Sequence, residues 1–128
     1  MVSDYIKTKF HDSSLTDISG ILSDMRMVKS PAEIDIMRQA GQVAVAMCDA
    51  AVETIAVGVP EYEISLAALN AGTRRAAELI GTKTEPSHFS PMIHNLQVLQ
   101  SGPNLSMVHG RPTLRRIEKG DPIYMCFC

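Results

Sequence analysis

The stretch Lys29–Ile64, KSPAEIDIMRQAGQVAVAMCDAAVETIAVGVPEYEI, decides which fold the sequence predicts. Ser30 precedes Pro31, and Glu33 follows the serine by three residues, a pattern typical of a capping box at a helix start. Small and apolar residues then recur at steps of three and four, which predicts a helix over residues 31–57. Its predicted buried face is rich in Ala and Gly, so that another backbone can approach it closely: Ile34, Met37, Gly41, Ala44, Met47, Ala51 and Ile55.

A short connection leads into a second predicted helix over residues 60–80, which Gly81 closes. Gly58 can end the first helix in a left-handed turn, and Pro60 suits the first turn of the next. Two glutamates, Glu61 and Glu63, stand near its start, where negative charge is favourable to the helix dipole. The predicted buried face of this helix consists of Tyr62, Leu66, Leu69, Thr73, Ala76 and Ile80.

Residues on either side of the helical pair have a different character. Residues 89–101 carry β-branched and aromatic side chains and are predicted to be extended. Gly120-Asp121 is typical of a turn into a last strand, with Pro122 tolerable as its first residue. The prediction is an α+β fold in which two long helices pack on an antiparallel sheet. Residues 1–24 are mixed in character and predict one short strand and one helical turn.

Composition excludes several classes of protein. The chain has 128 residues, enough for one domain with a core, and a net charge of −2. A nearly neutral chain gives no electrostatic reason to expect nucleic acid or an anionic membrane as a partner. The sequence contains no long uncharged apolar run of the kind that would predict a transmembrane helix. Three cysteines do not make a disulfide framework, which favours a reducing, cytoplasmic location.

The four histidines differ in their surroundings. His11 lies in a polar stretch and is expected at the surface, and His88 and His94 flank the extended segment, where a structural role in the sheet is favoured over a functional one. His109 follows a Gly-Pro-Asn turn and precedes Gly-Arg-Pro-Thr, so its ring is presented from a loop, the place where catalytic residues concentrate. Spacing alone leaves a catalytic and a structural role open.

Two other groups of residues have more than one interpretation. Cys126 and Cys128 could belong to a metal site, but a structural zinc site needs four ligands, and two thiols on one strand face also suit a core. Arg111, Arg115 and Arg116 form a basic cluster. It could be solvated, contact a partner chain or bind a substrate carboxylate.

Four strings resemble a known family when they are taken together in this order and at these intervals: MRMVKSPAEIDIMRQA, GVPEYEI, SGPNLSMVHGRPT and IEKGDPIYM. They are similar to sequences of the pita-bread hydrolases, which include methionine aminopeptidase, aminopeptidase P, prolidase and creatinase. The resemblance implies that residues 25–128 form the N-terminal half of a pita-bread catalytic domain. It also implies that residues 1–24 are a linker and the tail of a preceding domain. The chain is thus expected to be a piece of a longer protein and to be inactive when isolated.

The resemblance assigns roles to individual residues. His109 takes the position of the family's active-site histidine, beside the scissile C–N bond, and Arg111 is the candidate for substrate binding. The pattern around His109 looks most like that of the proline-specific peptidases. Cys126 falls where the metallopeptidases carry the first aspartate ligand, and creatinase, which works without metal, also lacks an aspartate there. The resemblance therefore predicts no metal site within this chain.

The resulting functional expectation is a hydrolase of C–N bonds that acts on a Xaa-Pro peptide or on a small amidino or amide substrate. A divalent metal (Mn, Co or Zn) is expected in the longer protein if it is peptidase-like. A homodimer is expected, and the composition favours a cytoplasmic location without nucleic-acid or membrane partners. A non-catalytic binding module on the same fold is the alternative.

Overall fold

The computed structural model describes residues 2–12, 14–81, 90–94 and 97–127. His88 and Cys128 therefore lie outside the described residues. The chain divides into two compact units, residues 1–34 and residues 35–128. The predicted boundary between residues 24 and 25 remains a prediction.

The first unit contains two short helices and the start of a third. Helix α1 is Val2–Lys9, helix α2 is Ser19–Met27, and helix α3 is Pro31–Thr54. The predicted short strand is wrong, because no strand occurs among the described residues of this unit. A strand needs a neighbour to satisfy its backbone groups, whereas a helix satisfies them internally.

A capping box starts α3, as the sequence predicts. The amide of Ser30 donates to Glu33 Oε2 at 2.7 Å, and the amide of Glu33 donates to Ser30 Oγ at 3.3 Å. The hydroxyl of Ser30 also donates to the same carboxylate at 2.8 Å. The reciprocal bonds satisfy amides that the first helical turn leaves without partners.

Replacing Ser30 with Ala is expected to lower the free energy of unfolding by about 1 kcal/mol, because the helix loses its side-chain cap. Chemical denaturation followed by circular dichroism measures this loss. Ser14→Ala is the matched control, since Ser14 is exposed and outside any helix. Equal stability of the two variants would contradict the capping role.

The second unit packs helices on a two-stranded antiparallel sheet, which confirms the predicted fold class. Helix α4 is Glu61–Gly81, strand β1 is Gln97–Ser101 and strand β2 is Ile123–Phe127. The strands pair with Gln97 opposite Phe127 and Ser101 opposite Ile123. The core between the helices and the sheet consists of Met47, Ala51, Ile64, Ala68, Leu99 and Ile117. None of the helices in the described ranges is long and apolar enough to span a membrane.

The bounds of these elements differ modestly from the prediction. Helix α3 ends at Thr54 rather than at residue 57, and Gly58 has the expected left-handed conformation, with φ of 90°. The predicted extended segment 89–101 forms a strand only from Gln97, since residues 90–94 are irregular.

The predicted buried face of α3 is correct only at its C-terminal end. Met47 and Ala51 are buried, whereas Ile34, Met37, Gly41 and Ala44 are exposed. Within the described residues, the core cluster includes only residues from the last turns of α3. The sequence periodicity marks an apolar face but does not tell how much of it is covered.

The predicted buried face of α4 is rotated away from the observed one. Tyr62 and Leu66 are exposed, and the buried residues are Glu61, Ile64, Ser65, Ala68 and Gly72. The reason is the close approach of the neighbouring elements. A Cβ atom on Gly72 would lie 2.5 Å from Met47 Cγ and 2.6 Å from Ile93 Cδ1, so the helix packs closely against both residues at this position.

The sheet has two faces, and one of them packs against the helices. Leu99, Ile123, Met125 and Phe127 point toward the helices and belong to the core or pack against it. Side chains alternate along a strand, and directly paired residues share a face. The pairs Gln100–Tyr124 and Val98–Cys126 therefore lie on the other face, which we call the site face.

Candidate functional site

A loop between the two strands presents His109 at the site face. A 3-10 helix, Gly102–Ser106, follows β1 directly, and a turn then leads to His109. The backbone of His109 has φ of 52°, and its side chain is exposed. Left-handed backbone is uncommon for residues other than glycine and is often found where the surrounding structure holds a functional side chain in place.

His109 borders a cavity of about 300 Å³. The cavity is lined by Gln100 and Tyr124 from the site face and by loop residues: Leu105, Met107, Val108 and His109. Three of these six side chains are apolar, and the imidazole is the group among them best suited to accept or donate a proton. The arrangement of an apolar cavity with one proton-transferring group is typical of a small-molecule site.

Gln100 supports the loop from the sheet. This side chain is buried, and its Nε2 donates to the carbonyl oxygens of Asn104 at 2.7 Å and Met107 at 2.6 Å. Gly110 packs directly over the same amide group. A Cβ atom there would lie 2.5 Å from Gln100 Nε2, so a larger residue beside the histidine would displace this amide.

The carboxylate of Glu61 joins the two ends of the loop. Its Oε1 accepts hydrogen bonds from the amide of Ser101 at 2.8 Å and from the hydroxyl of Ser101 at 2.6 Å. Its Oε2 accepts from the amide of Thr113 at 2.9 Å and from the hydroxyl of Thr113 at 2.6 Å. Asn104 Nδ2 adds a bond to Oε1 at 3.1 Å. Glu61 is completely buried, so these donors replace water around the charge.

The balance of burial and hydrogen bonding sets the protonation of this carboxyl group. Burial is the largest single effect and raises the pKa of Glu61, but the bonds from Ser101, Thr113 and Asn104 together outweigh it and lower the pKa below 4.5. The ionised carboxylate of Glu61 therefore stabilises the fold at pH values above the ordinary pKa of a glutamate. This stabilisation is lost as the pH falls through the lowered pKa.

The backbone places Glu61 where both loop ends can reach it. The amide of Glu61 donates to the carbonyl of Arg115 at 2.9 Å, and the amide of Tyr62 donates to the carbonyl of Thr113 at 3.2 Å. An isolated antiparallel β-bridge between Pro60 and Arg116 continues this backbone pairing. The first amides of α4 thus have partners, and the glutamate lies at the helix end that favours negative charge.

An ion pair lies beside this cluster. Arg115 Nη1 donates to Asp121 Oδ2 at 2.6 Å and Nη2 donates to Asp121 Oδ1 at 3.1 Å, while Nη1 also contacts Ser101 Oγ at 2.8 Å. The hydrogen bond from Arg115 lowers the pKa of Asp121. The pair therefore connects the turn before β2 with the end of β1.

The basic cluster of the sequence is thus separated by the fold. Arg115 is part of the ion pair, and Arg116 donates to the carbonyl of Gly58 at 2.7 Å. Arg111 is exposed and makes no hydrogen bond or ion pair with the rest of the described chain. Only Arg111 keeps its guanidinium available for a ligand among these three.

The other sequence candidates have clear positions. Cys126 lies on the site face, two residues beyond Tyr124 on the same strand. His11 and His94 are exposed, and neither lines the cavity. Sequence reasoning missed the roles of Glu61, Gln100 and Asp121, and the signal that could have indicated Glu61 is a carboxylate directly after the Gly-Val-Pro connection.

The described residues do not fit a divalent metal by themselves. Over the described ranges, no three His, Cys, Asp or Glu side chains come together as a possible metal site. Glu61 and Asp121, the carboxylates nearest the loop, are occupied by hydrogen bonds. These residues alone therefore do not form a divalent metal site.

Comparison with known proteins agrees with this geometry. Residues 35–128 match the sequence model of metallopeptidase family M24. The chain belongs to this family. It is 32% identical over 117 residues to a creatinase from Bacillus sp. (strain B-0618), and 31% identical over 109 residues to a Xaa-Pro aminopeptidase from Haemophilus influenzae. These alignments cover 91% and 85% of the chain.

The matching relatives are much longer than this chain. It spans 27% of the creatinase, 22% of the Xaa-Pro aminopeptidase and 28% of an agropine synthesis cyclase from Rhizobium rhizogenes, to which it is 27% identical over 89% of its length. The fold resembles the crystal structure of an X-Pro aminopeptidase from Thermotoga maritima, with a TM-score of 0.73 and 24% identity. That likeness covers 98% of this chain and 32% of the other, and it confirms a pita-bread half-domain.

Proposed function

We propose that the intact gene product hydrolyses a C–N bond and that His109 is its active-site histidine. One observation carries the proposal: an exposed histidine with left-handed backbone borders a cavity, on a loop fixed by two buried polar side chains. Two of the relatives, the creatinase and the Xaa-Pro aminopeptidase, are hydrolases, which supports the same reaction class.

In this proposal the imidazole of His109 lies beside the leaving nitrogen and transfers a proton to it or stabilises the tetrahedral intermediate. Leu105, Met107 and Val108 provide apolar surface for contact with the substrate. Arg111 binds a substrate carboxylate, because an exposed guanidinium without other partners suits a planar anion. The remaining catalytic groups come from outside this chain.

The substrate is a Xaa-Pro peptide or a small amidino or amide compound. The motif around His109 supports the first, and the thiol of Cys126 on the site face supports the second. A homodimer and a cytoplasmic location remain predictions. The test is a panel of Xaa-Pro dipeptides and creatine, with the released product measured for the intact protein. Hydrolysis of neither class would overturn the proposal in favour of a binding module.

Metal dependence separates the two substrate classes. Hard divalent ions such as Mn²⁺ prefer carboxylates to thiolates, so Cys126 weakens a two-metal site at the first ligand position. If the substrate is of the amidino or amide class, we therefore expect exhaustively chelated protein to keep its turnover, as measured on both classes of substrate alongside elemental analysis. Two equivalents of metal per chain, with activity lost on chelation and restored by manganese, would contradict this expectation and favour a peptidase.

A further inference from the structure

We propose that Glu61 is a positioning residue that holds the His109 loop in its working conformation, an inference that rests on the proposed role of His109. The first residue of α4 is remote from His109 in sequence, and it does not line the cavity. Its carboxylate nevertheless binds the residues that begin and end the loop. We call residues 101–113 the histidine loop.

Each carboxylate oxygen of Glu61 binds one end of the histidine loop. Oε1 takes the amide and hydroxyl of Ser101, and Oε2 takes the amide and hydroxyl of Thr113. Because one rigid planar group binds both ends, the distance across the base of the loop is fixed. The position of His109 between these ends depends on that distance and on the bonds from Gln100 to the loop.

Only an acceptor satisfies this cluster. Every group that faces the carboxylate is a donor in the observed arrangement: two amides, two hydroxyls and the side-chain amide of Asn104. An ionised carboxylate accepts all of them, whereas a carboxamide has one oxygen and a donating NH₂ group. A Gln at position 61 would fill the same volume and leave one end of the loop facing a donor.

The carboxylate is itself held by a regular element. Glu61 begins α4, its amide is bonded to Arg115, and its side chain is completely buried. The loop therefore takes its position from the helix and from Gln100 of the sheet. His109 needs such support, since its left-handed backbone is not intrinsically favoured.

The test compares Glu61→Gln with Glu63→Gln in the intact gene product. Glu63 lies on the same helical turn but is exposed, so it controls for the loss of one negative charge. A misplaced catalytic group costs about 100-fold in rate. We expect Glu61→Gln to lower kcat by about this factor with little change in KM, and Glu63→Gln to match the wild type.

Thr113→Val and Thr113→Ser provide a second pair that leaves the buried charge in place. The valine is nearly isosteric but lacks the hydroxyl that donates to Oε2, and the serine retains it. We expect Thr113→Val to lower kcat and Thr113→Ser to keep the wild-type kcat. This pair keeps the proposal testable if Glu61→Gln does not fold.

Hydrogen–deuterium exchange read by mass spectrometry gives a result that does not depend on activity. In Glu61→Gln and Thr113→Val, amides of the histidine loop should exchange about tenfold faster, while those of α3 keep their wild-type rates. Unchanged exchange in the loop, or an equal increase throughout the chain, would overturn the proposal. So would unchanged kcat in folded variants of an active wild type. If the wild type hydrolyses nothing while the loop still loosens, the proposed function fails and the positioning role stands.

Discussion

Replacing His109 with Ala in the intact gene product is expected to lower kcat by about 100- to 10,000-fold, the range of a general acid or base. The ring borders the cavity and is exposed, so its removal takes away the proton-transferring group without leaving a hole in the core. KM should change much less than kcat, because the proposed interaction is made in the transition state. Steady-state kinetics on the substrate that the panel identifies measures both constants.

The control for this prediction is His94→Ala. His94 is also exposed, but it lies in the irregular segment 90–94 and does not line the cavity. Its variant should keep the turnover of the wild type. Both variants should have the wild-type free energy of unfolding within about 0.5 kcal/mol, as expected for surface substitutions. A His109 variant with wild-type kcat would contradict the assigned role.

The helices were predictable because their signals are local. The capping box of Ser30 and Glu33 and the steps of three and four depend only on neighbours in sequence, and both helices form close to the predicted bounds. Which face of a helix becomes buried depends instead on elements that are distant in the sequence. Tyr62 and Leu66 continue the apolar pattern of α4, yet the fold turns an adjacent face, with Ile64, Ala68 and Gly72, toward the core.

The candidate site was predictable only in part for the same reason. The loop that presents His109 is marked by its Gly-Pro-Asn and Gly-Arg-Pro-Thr flanks, and the resemblance to a family supplied its proposed role. The hydrogen bonds between that loop and Glu61 connect residues that are 40 and 52 positions apart in the sequence. A carboxylate at a helix start is ordinarily explained by the helix dipole. Only the fold shows that this one is buried and surrounded by donors.

The Ser-Gly-Pro and Lys-Gly-Asp turns meet in space, and this contact leads to the second large effect, the substitution Gly102→Ala. Gly102 has φ of 50°, a conformation that disfavours any side chain, and its amide donates to the carbonyl of Pro122 at 3.0 Å. An added Cβ atom would lie 2.5 Å from Asp121 Oδ1 and 2.8 Å from Arg115 Nη2. A methyl group there requires the side chains of Asp121 and Arg115 to move, or the two turns to separate.

We expect Gly102→Ala to lower the free energy of unfolding by about 1–2 kcal/mol through left-handed strain and by about 1–3 kcal/mol more through crowding. Gly120→Ala separates the two causes, because Gly120 also has positive φ, 93°, but has no atom within 4 Å of the added Cβ. Its loss should therefore be limited to the strain. Chemical denaturation of both variants measures the difference. Equal losses would show that the turns yield around the methyl group, and a larger loss at Gly102 would show that the contact between them holds the base of the histidine loop.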